Sequence, residues 1–269
     1  MPSPIPAIGF GTWKRNGDEA YRTVQEALAI GYRHIDTAEA YGNEVDVGRA
    51  IRESGLPRKD VFVTTKVAPE NLGPGQVVTH LKASLDRLKM DHADLFLIHW
   101  PSLQDRYPVA DYMTQIAAVQ DQGLARFIGV SNFTRKHLDA AVKTIGADRI
   151  STNQVEAHVL FQNHLIIDHT KAKGITVTAY CPLARGRLSS HAGVEAIAKR
   201  QGATPEQVGL AFLSAEGYLV IPSSSKRERI QSNWDAQKLK LSPEDMAALR
   251  KMDEGKRLVD GGWSPVWDR

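Results

Sequence analysis

Apolar residues recur along this chain in two alternating rhythms. Short β-branched and apolar runs at 32–36, 61–66, 95–99, 127–131, 151–156, 176–180 and 218–222 read as strands, with a weaker one at 238–241. Longer stretches between them follow a helical period. Segment 19–30 places Ala20, Val24, Ala27 and Leu28 on one face, and 75–88 does the same with Val77, Leu81, Leu85 and Leu88. Thr204, Pro205 and Glu206 predict a further helix start, a capping residue followed by proline at the first turn. Strands joined through helices must run parallel, because each crossover returns the chain to the same end of the sheet. Seven or eight such units without a break in composition predict an α/β chain folded as one closed (β/α)8 barrel spanning residues 1–269. An open doubly wound sheet is the rival. Its phosphate loop would follow the first strand, whereas Gly9-Phe10-Gly11 precedes it and lacks the third glycine. Segment 5–12 reads instead as a hairpin closing the lower end of the barrel. Segment 260–269 reads as an irregular tail whose tryptophans, Trp263 and Trp267, need burial at the barrel mouth.

Composition narrows the class. The chain has 269 residues, 42% hydrophobic and 24% charged, ordinary for a folded protein able to bury a core without staples. Cys181 is the single cysteine, so no intramolecular disulfide forms, which suits a reducing compartment. The net charge of +3 comes from 34 Lys and Arg against 31 Asp and Glu, spread along the chain, and calls for no nucleic-acid partner. No apolar run reaches the length of a membrane span, about 18 residues. The first six residues lack the basic start and apolar stretch of a signal peptide. A cytoplasmic location with no membrane partner is therefore expected.

In a barrel of this kind the reactive groups come from the C-terminal ends of several strands. Here strand after strand ends in a polar residue, Asp36, Lys66, His99, Ser131 with Asn132, and Tyr180, and the fifth strand carries Asn153 and Gln154. One such ending signals solvent exposure; its recurrence with complementary residue types predicts convergence on one face.

The same residues sit in motifs that resemble the aldo-keto reductase superfamily, within it most nearly the short bacterial reductases of the 2,5-diketo-gluconate type. These are GYRHIDTAEAYGNEVDVG at 31–48, TTK at 64–66, LIHWP at 97–101, GVSNF at 129–133, NQVE at 153–156, AYCPL at 179–183 and VIPSS at 220–224, in family order. The resemblance implies a carbonyl reductase that needs a hydride at carbon and a proton at oxygen. Tyr41 would give the proton. A free phenol titrates near 10 and donates poorly at neutrality, so Lys66 is expected to lower its pKa, with Asp36 pairing the lysine. His99 would orient the substrate oxygen.

The resemblance also implies a nicotinamide cofactor, NADPH preferred and NADH possible. Ser131, Asn132 and Gln154 would bind its carboxamide and Tyr180 would stack on its ring, with Gly11, Thr12 and Asp36 completing that end. Leu183 would lie along the pyrophosphate, and charge suggests Arg185 and Arg187 beside it. Ser224, Lys226, Arg229 and Asn233 would hold the adenosine end. Many relatives carry lysine where this chain has Ser223, which leaves Lys226 and Arg229 as the cations for a 2′-phosphate. Trp13, Ala40, Trp100 and His99 would line a pocket for a small carbonyl substrate. A monomer is expected.

Competing chemistries find less support. The nine histidines contain no HExxH or His-x-His pair, so no metal site is expected, and the glycine closing a nucleophile elbow is missing after Ser131. A non-catalytic nucleotide-binding barrel is the alternative of another class. It gives no reason for a lysine-tuned tyrosine.

Overall fold

The computed structural model describes residues 5–268; residues 1–4 and Arg269 of the segments considered above lie outside them. Eight strands alternate with helices: β1 Phe10–Gly11, β2 His34–Asp36, β3 Phe62–Val67, β4 Ala93–Ile98, β5 Ala125–Ser131, β6 Ile150–Glu156, β7 Thr176–Tyr180 and β8 Leu219–Val220. The intervening helices are α1 Gly17–Ile30, α2 Glu44–Glu53, α3 Gln76–Leu88, α4 Val109–Asp121, α5 Arg135–Ile145, α6 His164–Ala172, α7 Ala192–Gln201 and α8 Pro205–Ala215, and α9 Arg227–Asp235 and α10 Pro243–Arg250 follow β8. Neighbouring strands pair in sequence order and all in parallel. Closure comes from the Gly9 amide donating to Val220 O at 2.9 Å, Val220 N to Ala7 O at 3.0 Å and Gly11 N to Pro222 O at 3.0 Å. The fold is a (β/α)8 barrel.

Two expectations fail at the ends of the sheet. Residues 5–12 form no hairpin: Phe10 and Gly11 are themselves the first parallel strand, paired with Ile35 and Asp36. The missing side chains of Gly9 and Gly11 permit this, because a Cβ on Gly9 would sit 2.5 Å from His34 Nδ1 and one on Gly11 3.0 Å from Ile221 O. Segment 238–241 is not a strand. It leaves a 3-10 turn at Ala236–Lys238, and Leu239 and Leu241 pack on the core as loop residues.

The helix predictions hold to within two residues. Ala20, Val24, Ala27 and Leu28 of α1 are buried, as are Val77, Leu81, Leu85 and Leu88 of α3. Thr204 starts α8 with a reciprocal cap: its Oγ1 accepts from Gln207 N at 3.2 Å while its own N–H donates to Gln207 Oε1 at 3.0 Å.

Strand periodicity sorts side chains into two shells. Ile35, Val63, Val67, Phe96, Ile98, Ile128 and Val130 belong to the two large apolar clusters that join strands to helices. Phe62, Leu95, Leu97 and Leu219, with Ile5, form a separate cluster that fills the barrel. Lys66 stands four residues beyond Phe62 on one such row and Ser131 four beyond Phe127, while Asp36, Gln154 and Tyr180 stand at or near the C-terminal ends of β2, β6 and β7. The alternation that buries the interior apolar layer therefore points these polar side chains to one rim.

Candidate active site

Lys66 is fully buried and donates three ways: to Asp36 Oδ1 at 2.5 Å, to Thr37 O at 2.8 Å and to the Tyr41 hydroxyl at 3.4 Å. The other Asp36 oxygen accepts from Gln154 Nε2 at 2.9 Å, so the carboxylate ties β2, β3 and β6 together. Burial pulls the Lys66 ammonium down from its ordinary value, opposed by the attraction of Asp36. Tyr41 ends a 3-10 turn, Glu39–Tyr41, directly after β2. The turn is braced by Glu39, whose Oε1 accepts from Ala68 N at 2.6 Å and Asn71 Nδ2 at 2.9 Å while Oε2 lies 2.8 Å from His80 Nδ1. Nothing local in the sequence marked Glu39, since its partners come from the loop after β3 and from α3.

The expected lowering of the Tyr41 pKa is not met. Burial, and next the negative charge of Asp36, hold the phenol well above 10. The physical reason is that desolvating a phenolate outweighs a lysine already committed to a carboxylate. A phenol in this setting stays protonated. His99 follows β4 and meets the Tyr41 ring edge-on, with centroids 5.6 Å apart. Its imidazole is held well below its usual range, first by burial and then by the Lys66 charge, so it is neutral; its Nδ1 is buried without a hydrogen-bond partner.

These groups open into a cavity of about 1070 Å³ whose wall includes Trp13, Ala40, Trp100, Arg229 and Asn233. Asp36, Tyr41, His99, Ser131, Asn132, Gln154, Tyr180, Leu183, Arg185 and Ser224 line it as well, and the Arg185 guanidinium stands 5.6 Å over the Trp13 ring. Gly11 is also in its wall. Polar residues of the wall form a network: Ser131 Oγ donates to Gln154 O at 2.8 Å, Asn132 Nδ2 to His99 O at 3.0 Å, and the Tyr180 hydroxyl to Asn132 Oδ1 at 2.7 Å. Asn132 adopts a left-handed backbone, φ 62°, which turns its amide back toward β4.

Some residues singled out from the sequence lie elsewhere. Thr12 is buried behind the wall, with its hydroxyl donating to Asp36 O at 3.0 Å. Arg187 pairs with Glu254 at 2.9 Å, and Lys226 stands outside the lining at the start of α9. The tail tryptophans divide: Trp263 lines the cavity half-exposed, while Trp267 packs on Trp100 with centroids 6.0 Å apart. Ala68, Pro69, Glu70, Cys181 and Val259 are wall residues the sequence reading missed. Ala68, Pro69 and Cys181 follow strand ends by one or two positions, and that was the available signal. Among the described residues no three His, Cys, Asp or Glu side chains cluster to hold a metal ion. No helix among them is long and apolar enough to cross a membrane.

The model of the aldo/keto reductase family matches residues 7–254. The chain belongs to that family. As an aldo/keto reductase it is an oxidoreductase, and its similarity to curated members runs end to end. It is 44% identical over 265 residues to the methylglyoxal reductase DkgB of Salmonella typhi, covering 98% of this chain and 99% of that one. A crystal structure assigned provisionally as a 2,5-diketo-D-gluconic acid reductase B superposes with a TM-score of 0.93 at 35% identity, over 98% of this chain and 94% of the other. The aldose reductase of Schistosoma japonicum does so at 0.90 and 31% identity, over 96% and 94%.

Proposed function

We propose that this aldo/keto reductase reduces small aldehydes and ketones, dicarbonyls such as methylglyoxal or keto-sugars such as 2,5-diketo-D-gluconate, with NADPH and with Tyr41 as proton donor. The observation that carries this reading is the Tyr41 hydroxyl on the cavity wall, 3.4 Å from a buried Lys66 ammonium that is itself bound to Asp36. The raised pKa keeps Tyr41 protonated in the resting site but makes it a weaker acid, so transfer of its proton depends on stabilising the phenolate as it forms. As the proton passes to a carbonyl oxygen, negative charge develops on the phenol oxygen beside Lys66 Nζ. The lysine is already oriented there, so its charge stabilises that oxygen without reorganisation. Neutral His99 has one ring N–H and directs it at the same carbonyl oxygen. Trp13, Ala40 and Trp100 bound the substrate end, which leaves room for a small carbonyl.

The residues present fit a nicotinamide dinucleotide. The cavity exceeds the upper range of small-ligand pockets, about 1000 Å³. It sets amide and hydroxyl groups of Ser131, Asn132 and Gln154 beside the Tyr180 ring, as a carboxamide on a flat heterocycle requires. Bound there, the reduced cofactor would supply the hydride. Arg185, a cation in the cavity wall, would meet the pyrophosphate. Ser224, Asn233 and Arg229 would hold the adenosine end, Arg229 taking the 2′-phosphate in place of the lysine that Ser223 replaces. Ser223 Oγ is buried without a partner, which suits an acceptor on a bound ligand. The enzyme is proposed to act as a cytoplasmic monomer made of one barrel domain. A panel of carbonyl substrates read by cofactor absorbance tests the reading. Oxidation of NADPH with methylglyoxal or 2,5-diketo-D-gluconate is the expected result, and no turnover of any carbonyl with either nicotinamide would refute it.

A further inference from the structure

Glu156 ends β6 two residues beyond Gln154 and is fully buried, yet it lines no part of the cavity. Its carboxylate is divided between two main-chain donors one hundred residues away. Leu258 N donates to Oε1 at 2.7 Å and Val259 N to Oε2 at 2.8 Å, and the buried His158 ring adds Nε2 to Oε1 at 3.1 Å. The chain beyond these amides is anchored again at its far end. Asp268 accepts from Arg135 N at the start of α5, at 2.9 Å, and pairs with the Arg135 guanidinium at 3.2 Å. Between the anchors Val259 and Trp263 enter the cavity wall, and Trp267 is clamped between Trp100 and the Arg257 guanidinium, which stands 3.5 Å over its ring.

From this geometry we infer that Glu156 is a positioning residue that sets the substrate-side wall by holding the main chain at 258–259. The inference rests on the proposed carbonyl reduction for its kinetic readout. A carboxylate suits the task because it accepts at both oxygens. An amide in its place offers one oxygen and one NH2, so one of the two buried N–H groups would face a donor. The neighbouring Asp36, Lys66 and Tyr41 take no part in this contact, so a slackened tail disturbs the fit of the substrate and leaves the proton donor in place.

The test uses the full chain and three variants: Glu156→Gln, Val259→Pro, which deletes one donor from the other side of the latch, and the double variant. For Glu156→Gln we expect about a tenfold rise in KM for methylglyoxal, the scale of one lost hydrogen bond to a charged group, with kcat and the Kd for NADPH changed by less than about twofold. Val259→Pro should act alike. The double variant should be no worse than the poorer single one, because both remove the same contact. Hydrogen exchange at the Leu258 amide should quicken in both single variants, whatever carbonyl the enzyme turns over. Unchanged exchange and KM, additive losses, or a fall in kcat and cofactor affinity with KM unmoved would overturn the inference. If Glu156→Gln does not fold, Val259→Pro decides by the same readouts. If the wild type reduces no carbonyl, the proposed function fails while the exchange result still judges the latch.

Discussion

Lys66 Nζ lies 2.5 Å from Asp36 Oδ1 inside the barrel, with neither side chain exposed by more than 2%. A buried ammonium without its carboxylate is an uncompensated charge, so this pair holds together both the rim of the barrel and the environment of Tyr41. Asp36→Asn should destabilise the protein by about 3–5 kcal/mol, the usual cost of breaking a buried pair from one side. It should also lower turnover, since burial would then favour the neutral amine. Denaturant midpoints and kcat measured on the same preparation check both. A variant of wild-type stability would show that the pair contributes nothing.

His34 gives stability a dependence on acid. Its ring is buried against Gly9, with Nε2 2.9 Å from Thr64 Oγ1, and burial lowers its pKa from 6.5 to about 4. The folded state therefore binds fewer protons than the unfolded state between those values. Its contribution is complete above 6.5 and is lost as pH falls through 4. The gap corresponds to about 3 kcal/mol. Unfolding free energy followed from pH 7 to 4 should fall by that order, and His34→Gln should flatten the curve. An equal slope in the variant would assign the effect to other groups.

Gly48 lies in α2 where the helix crosses the end of α3. A Cβ there would stand 2.3 Å from Leu88 O and 2.8 Å from Leu88 Cα, both backbone atoms that cannot turn aside. Alanine would gain about 1 kcal/mol of helix propensity and lose more to the clash, typically 1–3 kcal/mol and more against rigid backbone. Gly48→Ala should melt lower than wild type. A higher Tm would mean that α2 and α3 separate at little cost.

The cofactor assignment makes an ordered prediction. Arg229 lines the cavity and Lys226 does not. Arg229→Ala should reduce kcat/KM with NADPH by about tenfold and alter it little with NADH, while Lys226→Ala should have the smaller effect. Equal losses with both nicotinamides would remove the 2′-phosphate from Arg229.

Much of this site was legible in the sequence, because period-2 alternation and a polar last residue are local signals. Asp36, Lys66, Ser131, Gln154 and Tyr180 stand where their strand ends predict. What escaped depends on partners far along the chain. The two-residue strand Phe10–Gly11 has no periodicity of its own and exists through bonds to β2 and β8. Leu239 and Leu241 alternate like a strand, yet they find burial as loop residues. Tyr41 illustrates the same limit in electrostatics. A lysine nearby can be read from a motif, whereas the burial that outweighs it and raises the phenol is a property of the assembled barrel. The tail contacts of Glu156 span one hundred residues and leave no local mark.

Tyr41→Phe tests the central claim most directly, because it removes one oxygen and keeps the ring against His99. Carbonyl turnover should fall by at least about a hundredfold, the scale of a lost general acid. The Kd for NADPH should stay near wild type. Turnover within a few-fold of wild type, with the cofactor still bound, would contradict the assignment of Tyr41 as the proton donor.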